Sequence, residues 1–228
     1  VAKNDTFQAY VAEVADQALT TEAADIEAFL AEESKAEAGK TVKEALDGKI
    51  AVIGENLNIR RFSKASAEDG FVASYIHAGG KIGVLVEVAT DVVNDEIKEM
   101  GKNVAMQVAA IAPKYTSRDE VSKDYIEHET EILKVQAKNE NPDKPDNIIE
   151  KMIIGRLNKE LKEVCLLDQA YVKAEDGKQA VGKYVEQVAK ANNANVTIKG
   201  FIRFETGEGI EKKEEDFAAE VAKQMAGN

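Results

Sequence analysis

Apolar positions in the first quarter of the chain recur with the period of an α-helix. Residues 7–19 place their apolar side chains on one helical face, behind polar residues that can cap the start. A second helix is expected to begin after Thr21 and to end at Gly39. A third covers residues 42–53, with Gly54 placed to end it in a left-handed conformation. The pattern therefore predicts three helices before any strand.

The period changes to that of β-strands after this point. Leu57 and Ile59 alternate with polar side chains, as a half-buried strand requires. Two more apolar stretches follow at 71–77 and 81–88, and Ala78-Gly79-Gly80 between them is typical of a hairpin turn. Three successive strands with short connections predict an antiparallel meander.

Residues 95–111 predict a helix, and the segment 118–163 predicts an antiparallel helical hairpin. Two long helical patterns flank the polar breaker NENPDKPDN at 139–147. Either the hairpin mediates self-association or its helices are ordinary packed helices, and the sequence leaves both interpretations open. The heptad seam expected on the first helix comprises Val121, Tyr125, His128, Ile132 and Val135. The inner face expected on the second comprises Ile149, Met152, Ile153, Leu157 and Leu161.

The remaining pattern predicts a helix over 179–191, a strand over 195–205 and a last helix over 213–226. A helix followed by a strand that ends in Arg-Phe occurs twice, at 61–62 and again at 203–204. Helices and antiparallel strands in this order predict an α+β fold. The repeated unit leaves open two similar halves.

Composition narrows the functional classes. The 228 residues are 44% hydrophobic and 32% charged, which is typical of a globular protein. A net charge of −12 repels phosphate backbones, so no direct nucleic-acid partner is expected. No apolar run approaches the ~18 residues of a membrane span, so no membrane partner is expected. The single cysteine, Cys165, lies in an apolar run and is expected to be a buried thiol in a reducing compartment.

Residues that carry chemistry are scarce. The two histidines are His77, at a strand end, and His128, on the expected heptad seam. No spacing of Cys, His or Asp indicates a metal site, and no nucleophile elbow or phosphate loop is present. We therefore expect no metal, no cofactor and no enzymatic activity. A hydrolase that uses scattered carboxylates and a structural oligomerisation protein built on the hairpin remain the alternative hypotheses.

Binding is the remaining class of function. At the end of the third helix, the apolar side chain of Ile53 precedes Gly54, which has no side chain and exposes its backbone. Such a pair suits the surface of another protein, although ordinary packing and capping more often explain this spacing.

Five motifs resemble the elongation factor Ts family over essentially the whole chain. They are VAKNDTFQAYV, IGENLNIRRF, SYIHAGGKIGVLVEV, IIEKMIIGRLNK and GFIRFETGEGIEKKEEDFAAEVA. The resemblance implies a guanine nucleotide exchange factor of translation in the bacterial cytoplasm, without chemistry of its own. Its implied partner is elongation factor Tu, GDP-bound or nucleotide-free, whose Mg²⁺ and phosphate site it would disturb to promote GDP release.

The family also implies a division of the chain. Two subdomains with small antiparallel sheets flanked by helices are expected at 1–69 and 70–207, with the coiled-coil hairpin 118–163 inserted in the second. A C-terminal module is expected at 208–228, and a homodimer through the hairpin is left open. The residues expected to contact elongation factor Tu are Val1, Ala2, Ile53, Gly54, Glu55, Asn56, His77 and Phe217.

One departure from the family pattern concerns the start of the chain. Family members normally carry Thr-Asp-Phe-Val before Ala-Lys, and the Asp-Phe pair enters the GTPase, whereas here only Val1 is present. The resemblance also implies that the N-terminal helical module of the family is not part of these 228 residues. The resemblance therefore implies weakened binding and reduced exchange activity for these 228 residues.

Overall fold

The computed structural model describes residues 1–210 and divides into two compact units. The first unit is Val1–Ser66 and the second begins at Ala67. The α+β class is confirmed, with helices and one three-stranded antiparallel sheet among the described residues. The last helix expected at 213–226 lies outside them, and the domain limits expected at 69 and 207 stay a prediction.

The first unit contains three helices, α1 (Asp5–Thr20), α2 (Ile26–Ala31) and α3 (Val42–Ile53). Each begins at a polar cap whose side chain accepts a hydrogen bond from a backbone N–H of the first turn. Asn4 caps α1 and Asp25 caps α2. These caps satisfy N–H groups that have no partner within the helix.

The second helix is shorter than the sequence pattern predicts. It begins after Asp25 rather than after Thr21, and it ends at Ala31 rather than at Gly39. The chain then forms a closed loop, in which the N–H of Ser34 donates to the Lys40 carbonyl at 2.7 Å. Thr21 ends α1 instead, and its hydroxyl donates to the Glu32 carboxylate.

The prediction of a strand at 57–62 is wrong. These residues belong to no strand, and the described residues contain no sheet in the first unit. Ile59 and Phe62 instead pack on the helices, against a core formed by Ala18, Phe29 and Val42. The alternation of half-buried and exposed residues therefore exists over residues 57–60, but it reflects burial against helices rather than pairing with a strand.

The second unit is built on a sheet of order β1-β2-β3, in which β1 is Gly70–His77, β2 is Ile82–Thr90 and β3 is Val196–Glu205. Both pairings are antiparallel, which confirms the predicted hairpin at 78–80. The helices α4 (Asp95–Ile111) and, later in the chain, α7 (Val181–Ala191) contribute to the same core as the sheet. The fully buried residues Val86, Val88, Ile97, Met100, Val104, Val108, Leu166 and Val181 lie at its centre.

The hairpin consists of α5 (Lys123–Glu140) and α6 (Asp146–Val164), as predicted. Its inner face on α6 is confirmed, since Ile149, Ile153 and Leu161 are buried. Cys165, directly after α6, is fully buried as expected, and burial raises the pKa of its thiol.

The heptad seam expected on α5 is only partly correct. Val121 and Tyr125 pack against α6 residues, but Ile132 and Val135 are 37% and 58% exposed. The contact with α6 continues through Ile126, Leu133 and Ala137 instead. A straight α-helix has 3.6 residues per turn, so a contact face drifts away from a strict 3.5-residue repeat.

Candidate partner-binding surfaces

The first candidate surface, which we call the α3 junction, comprises Ile53, Gly54, Glu55 and Asn56 at the end of α3. Ile53 is half-buried, whereas the other three residues are exposed. Gly54 has φ 77°, and its N–H donates to the Ile50 carbonyl at 2.8 Å. A Cβ at Gly54 would meet no atom within 4 Å. The left-handed cap predicted from the sequence is thus confirmed, and the backbone beside it is open.

Val52 adjoins the junction and was missed by sequence reasoning. Its side chain is 76% exposed, the largest exposed fraction among the large hydrophobic residues in the described part of the chain. Its position off the apolar face of α3 was the available signal, because the spacing from Leu46 turns it away from the core. Val52 and Ile53 together place adjacent aliphatic side chains before an open glycine.

Both ends of α3 are fixed. At the start, the N–H of Glu44 donates to the Thr41 hydroxyl at 3.1 Å, and the N–H of Thr41 donates to the Glu44 carboxylate at 2.8 Å. This reciprocal capping box satisfies two backbone donors at once. After the junction, Phe62 packs on Phe29, with ring centroids 5.0 Å apart. The junction is therefore a short exposed segment between two anchored ones.

The second candidate surface is centred on His77, at the end of β1. The imidazole is exposed, and its Nδ1 lies 2.9 Å from the hydroxyl of Tyr75. The two rings are 5.7 Å apart between centroids. Successive strand residues point to opposite faces, so Tyr75 and His77 share a face while Ile76, 66% exposed, points the other way.

The turn after His77 is built on its carbonyl group. The N–H groups of Gly80 and Lys81 donate to the His77 carbonyl at 3.2 and 3.1 Å. Ala78, Gly79 and Gly80 all have positive φ angles, of 50°, 66° and 96°. Such a turn demands residues with little or no side chain, which explains the AGG sequence and fixes the backbone at His77.

Two charged residues of β3 lie in line with these side chains. Ile82 of β2 pairs with His77 of β1 on one side and with Glu205 of β3 on the other. In the same way, Val84 of β2 pairs with Tyr75 of β1 and with Arg203 of β3. Arg203 donates to Glu205 at 2.7 Å, while its Nε is buried without a hydrogen-bond partner among the described residues. Sequence reasoning missed both residues as site candidates, because only the register of β3 on β2 brings them into line with His77.

The other expected contact residues are distributed as follows. Val1 and Ala2 are exposed before α1, where the Val1 carbonyl accepts from the Asn4 N–H at 2.7 Å. Phe217 lies outside the described residues. Val1, Ala2 and the α3 junction belong to the first compact unit, whereas His77 belongs to the second. The structure thus shows where the described residues of this set lie, and their contacts with a partner stay predictions.

Neither surface contains a cluster of metal-ligating side chains among the described residues. Among residues 1–210, no three or more His, Cys, Asp or Glu side chains are grouped closely enough to hold a metal ion. No helix in that range is long and apolar enough to cross a membrane. A groove beside the stacked rings of Tyr171 and Tyr184, whose centroids lie 4.2 Å apart, contains none of the expected site residues. Exposed aliphatic groups, open backbone and a histidine are suited to docking.

Comparisons with known proteins agree with the motif-based resemblance. The family model described as elongation factor TS matches residues 1–208. An elongation factor Ts of Clostridioides difficile (strain 630) is 53% identical over 99% of this chain and 72% of its own length. One of Clostridium botulinum (strain Eklund 17B) is 48% identical over the same shares, and one of Trichlorobacter lovleyi is 48% identical over 97% of this chain and 71% of its own length.

Proposed function

Since the chain belongs to the elongation factor Ts family, and is thus a nucleotide exchange factor of translation elongation, we propose that it docks on elongation factor Tu through the α3 junction and His77. Membership of the family implies this partner. The contact weakens the hold of the GTPase on its Mg²⁺ ion and phosphates, and GDP leaves faster. The protein acts in the bacterial cytoplasm, where its relatives' translation machinery operates, and it is not an enzyme.

The physical basis is a difference in affinity. A ligand shifts an equilibrium only by as much as it prefers one state over the other. A factor that binds the nucleotide-free GTPase more tightly than the GDP-bound one must, by reciprocity, weaken GDP binding by the same factor. Such a factor needs a well-ordered docking surface, and no acid, base, nucleophile or metal of its own.

The observation that carries the proposal is the exposure of the α3 junction. Val52 and the backbone of Gly54 face open space, although the helix that bears them is capped at both ends. A rigid surface with protruding aliphatic groups binds with a small loss of conformational entropy. The anchored flanks therefore favour a docking role over simple chain reversal.

The test is release of a fluorescent GDP analogue from elongation factor Tu, followed by stopped flow. Ile53→Ala and His77→Ala are each expected to raise the factor concentration needed for half-maximal release by about fivefold or more, as contacts at the centre of an interface do. Leu19→Ala is the matched control, because Leu19 is an aliphatic residue of the same unit that is 68% exposed. We expect it to behave as wild type.

Two results would contradict the proposal. If the Ile53→Ala and His77→Ala variants promote GDP release from elongation factor Tu at the same concentration as the unaltered chain, the docking contacts lie elsewhere. If all three variants lose activity equally, the effect comes from folding and not from the proposed surface. Circular dichroism of each variant separates these cases.

We also propose that a second copy of the chain packs on the outer face of α5. The face consists of His128, Ile132 and Val135, which recur at intervals of four and three residues and are all exposed. Aliphatic side chains at heptad spacing are typical of helix pairing. This is the homodimer that the sequence suggests, placed on the outer rather than the inner face of α5.

The charges along α5 favour an antiparallel pair. The first half of the helix is net acidic, and the second half is net basic by one charge. The first half carries Asp124, Glu127, Glu129 and Glu131 with Lys123, and the second half carries Lys134 and Lys138 with Glu140. A two-fold axis near Ile132 would bring the acidic half of one copy beside the basic half of the other. Glu131 would then approach its own equivalent, which costs binding energy.

Analytical ultracentrifugation tests the second proposal. Ile132→Glu is expected to abolish self-association, whereas Glu131→Gln is expected to strengthen it by removing the repulsion at the axis. Ile154→Glu is the control, since Ile154 is 60% exposed on α6 and outside this face. A chain that stays monomeric at high micromolar concentration, with or without Glu131→Gln, would show that no second copy binds there.

A further inference from the structure

The contact between Tyr75 and His77 places a hydrogen-bonding group directly behind the expected partner contact. We infer that Tyr75 is a positioning residue: its hydroxyl donates to Nδ1 of His77 and so presents Nε2–H as a donor to an oxygen acceptor on elongation factor Tu. The inference rests on the proposed function, and it gives a chemical role to Tyr75, which is not among the expected contact residues.

The chemistry of the two groups decides the direction of this hydrogen bond. A neutral imidazole carries one N–H and one acceptor nitrogen, and the partner of one nitrogen determines which of them holds the proton. A phenol is a better hydrogen-bond donor than acceptor, so the Tyr75 hydroxyl 2.9 Å from Nδ1 favours a proton on Nε2. The outward nitrogen of His77 is then a donor, which matches a carbonyl or carboxylate oxygen.

Tyr75 can hold the imidazole because its own ring is fixed. The ring is half-buried and packs against the core of the second unit, and Tyr75 pairs with Val84 in the β1–β2 ladder. His77 has no comparable burial, since its side chain is exposed at the strand end. Without the hydroxyl, the imidazole would have to lose tautomeric and rotational freedom when the partner binds, and this loss weakens association.

The tautomer can be measured directly, because the chain has only two histidines. In a His128→Gln background, ¹⁵N-labelled histidine reports His77 alone, and long-range proton–nitrogen spectra distinguish Nδ1–H from Nε2–H. We expect mainly Nε2–H in the parent chain and a shift toward the mixture of free imidazole in Tyr75→Phe, which keeps the ring. Tyr125→Phe is the control, since its hydroxyl contacts Glu160 in the hairpin at 2.8 Å, and it should leave the His77 signals unchanged.

Binding to elongation factor Tu then links the tautomer to function. Tyr75→Phe is expected to weaken affinity about threefold to tenfold, the range of one hydrogen bond. In a His77→Ala background the same substitution should add no further loss, because Tyr75 acts through the imidazole. A purely structural role would weaken binding in both backgrounds.

Each outcome decides a separate question. An Nδ1–H tautomer in the parent chain, or a tautomer unaffected by Tyr75→Phe, overturns the inference. A loss with His77→Ala but none with Tyr75→Phe also overturns it and leaves the proposed function intact. Wild-type affinity of His77→Ala overturns the proposed contact itself, and the role of Tyr75 with it.

Discussion

Phe29 and Phe62 pack with their ring centroids 5.0 Å apart and their planes inclined by 48°. Phe29 is fully buried in the core of the first unit, whereas Phe62 lies in the segment that follows the α3 junction. The contact replaces the strand pairing that the alternation at 57–62 suggests. This contact holds an otherwise irregular segment against the core, and it therefore helps to keep the adjoining α3 junction ordered.

Removing this anchor is expected to loosen the segment after the junction. Phe62→Ala should lower the free energy of unfolding of the first unit by about 2 kcal/mol, because it removes a partly buried ring and its aromatic contact. Hydrogen exchange at residues 55–62 should rise. Phe62→Leu retains most of the apolar volume and should lose less than half as much. Equal exchange in all three proteins would contradict the anchoring role.

Removing the hydroxyl of Tyr10 is expected to stabilise the protein. Its hydroxyl is buried and has no hydrogen-bond partner among residues 1–210. An unsatisfied buried hydroxyl is unfavourable, so Tyr10→Phe is expected to raise the free energy of unfolding at pH 7 by about 1 kcal/mol. Tyr125→Phe should have the opposite sign, because it removes a hydrogen bond to Glu160. Urea unfolding followed by circular dichroism measures both, and a loss of stability in Tyr10→Phe would refute the argument.

Tyr10 also predicts a pH dependence. Burial, with Glu37, Glu13 and Asp47 nearby, raises the pKa of Tyr10 from 10.0 to about 12. Folding therefore favours the protonated hydroxyl, and its contribution is complete below pH 10 and is lost as the pH rises toward 12. The stability advantage of Tyr10→Phe over the parent chain should widen between about pH 10 and pH 12. A constant difference across this range would show that Tyr10 titrates normally.

Gly101 tests close packing between α4 and the sheet. A Cβ at this position would lie 2.9 Å from Cε2 of Phe71 and 3.1 Å from Cβ of Ala73. Alanine gains about 1 kcal/mol in helix propensity, but overpacking costs about 1–3 kcal/mol, so Gly101→Ala is expected to be net destabilising. Gly155→Ala on α6 meets no atom within 4 Å and should be stabilising. Thermal unfolding of the pair tests the opposite signs, and a stabilised Gly101→Ala would show that Phe71 moves freely.

Substitutions at Gly54 test the effect of backbone strain without any steric contact. Because its φ is 77° and a Cβ there meets nothing within 4 Å, Gly54→Ala should cost about 1–2 kcal/mol through the left-handed conformation alone. Asparagine tolerates this conformation better, so Gly54→Asn should cost less. Thermal unfolding gives the order of stability, and alanine at least as stable as asparagine would mean that the helix end can relax to negative φ.

Local chemistry in the sequence determined much of this protein. The helix 95–111, the strands at 71–77 and 81–88, and the cap at Gly54 follow from periodicity, turn residues and glycine placement, and the structure confirms them. These features depend on neighbours within a few residues, whose preferences act before any tertiary contact forms. The functional class was likewise indicated by the sequence alone, because the family motifs are stretches of residues that can be recognised without the structure.

Tertiary structure decided what each apolar pattern packs against. The alternation of half-buried Leu57 and Ile59 with exposed Asn58 and Arg60 records burial on one side, and it is the same whether the partner is a strand or a helix. On α5, two apolar stripes could face α6, and the stripe that contains Leu133 makes the contact while the one that contains Ile132 stays outside. Likewise only strand register aligns Arg203 with Tyr75 across the sheet. A sequence determines which faces are apolar, whereas their partners depend on contacts between residues far apart in the chain.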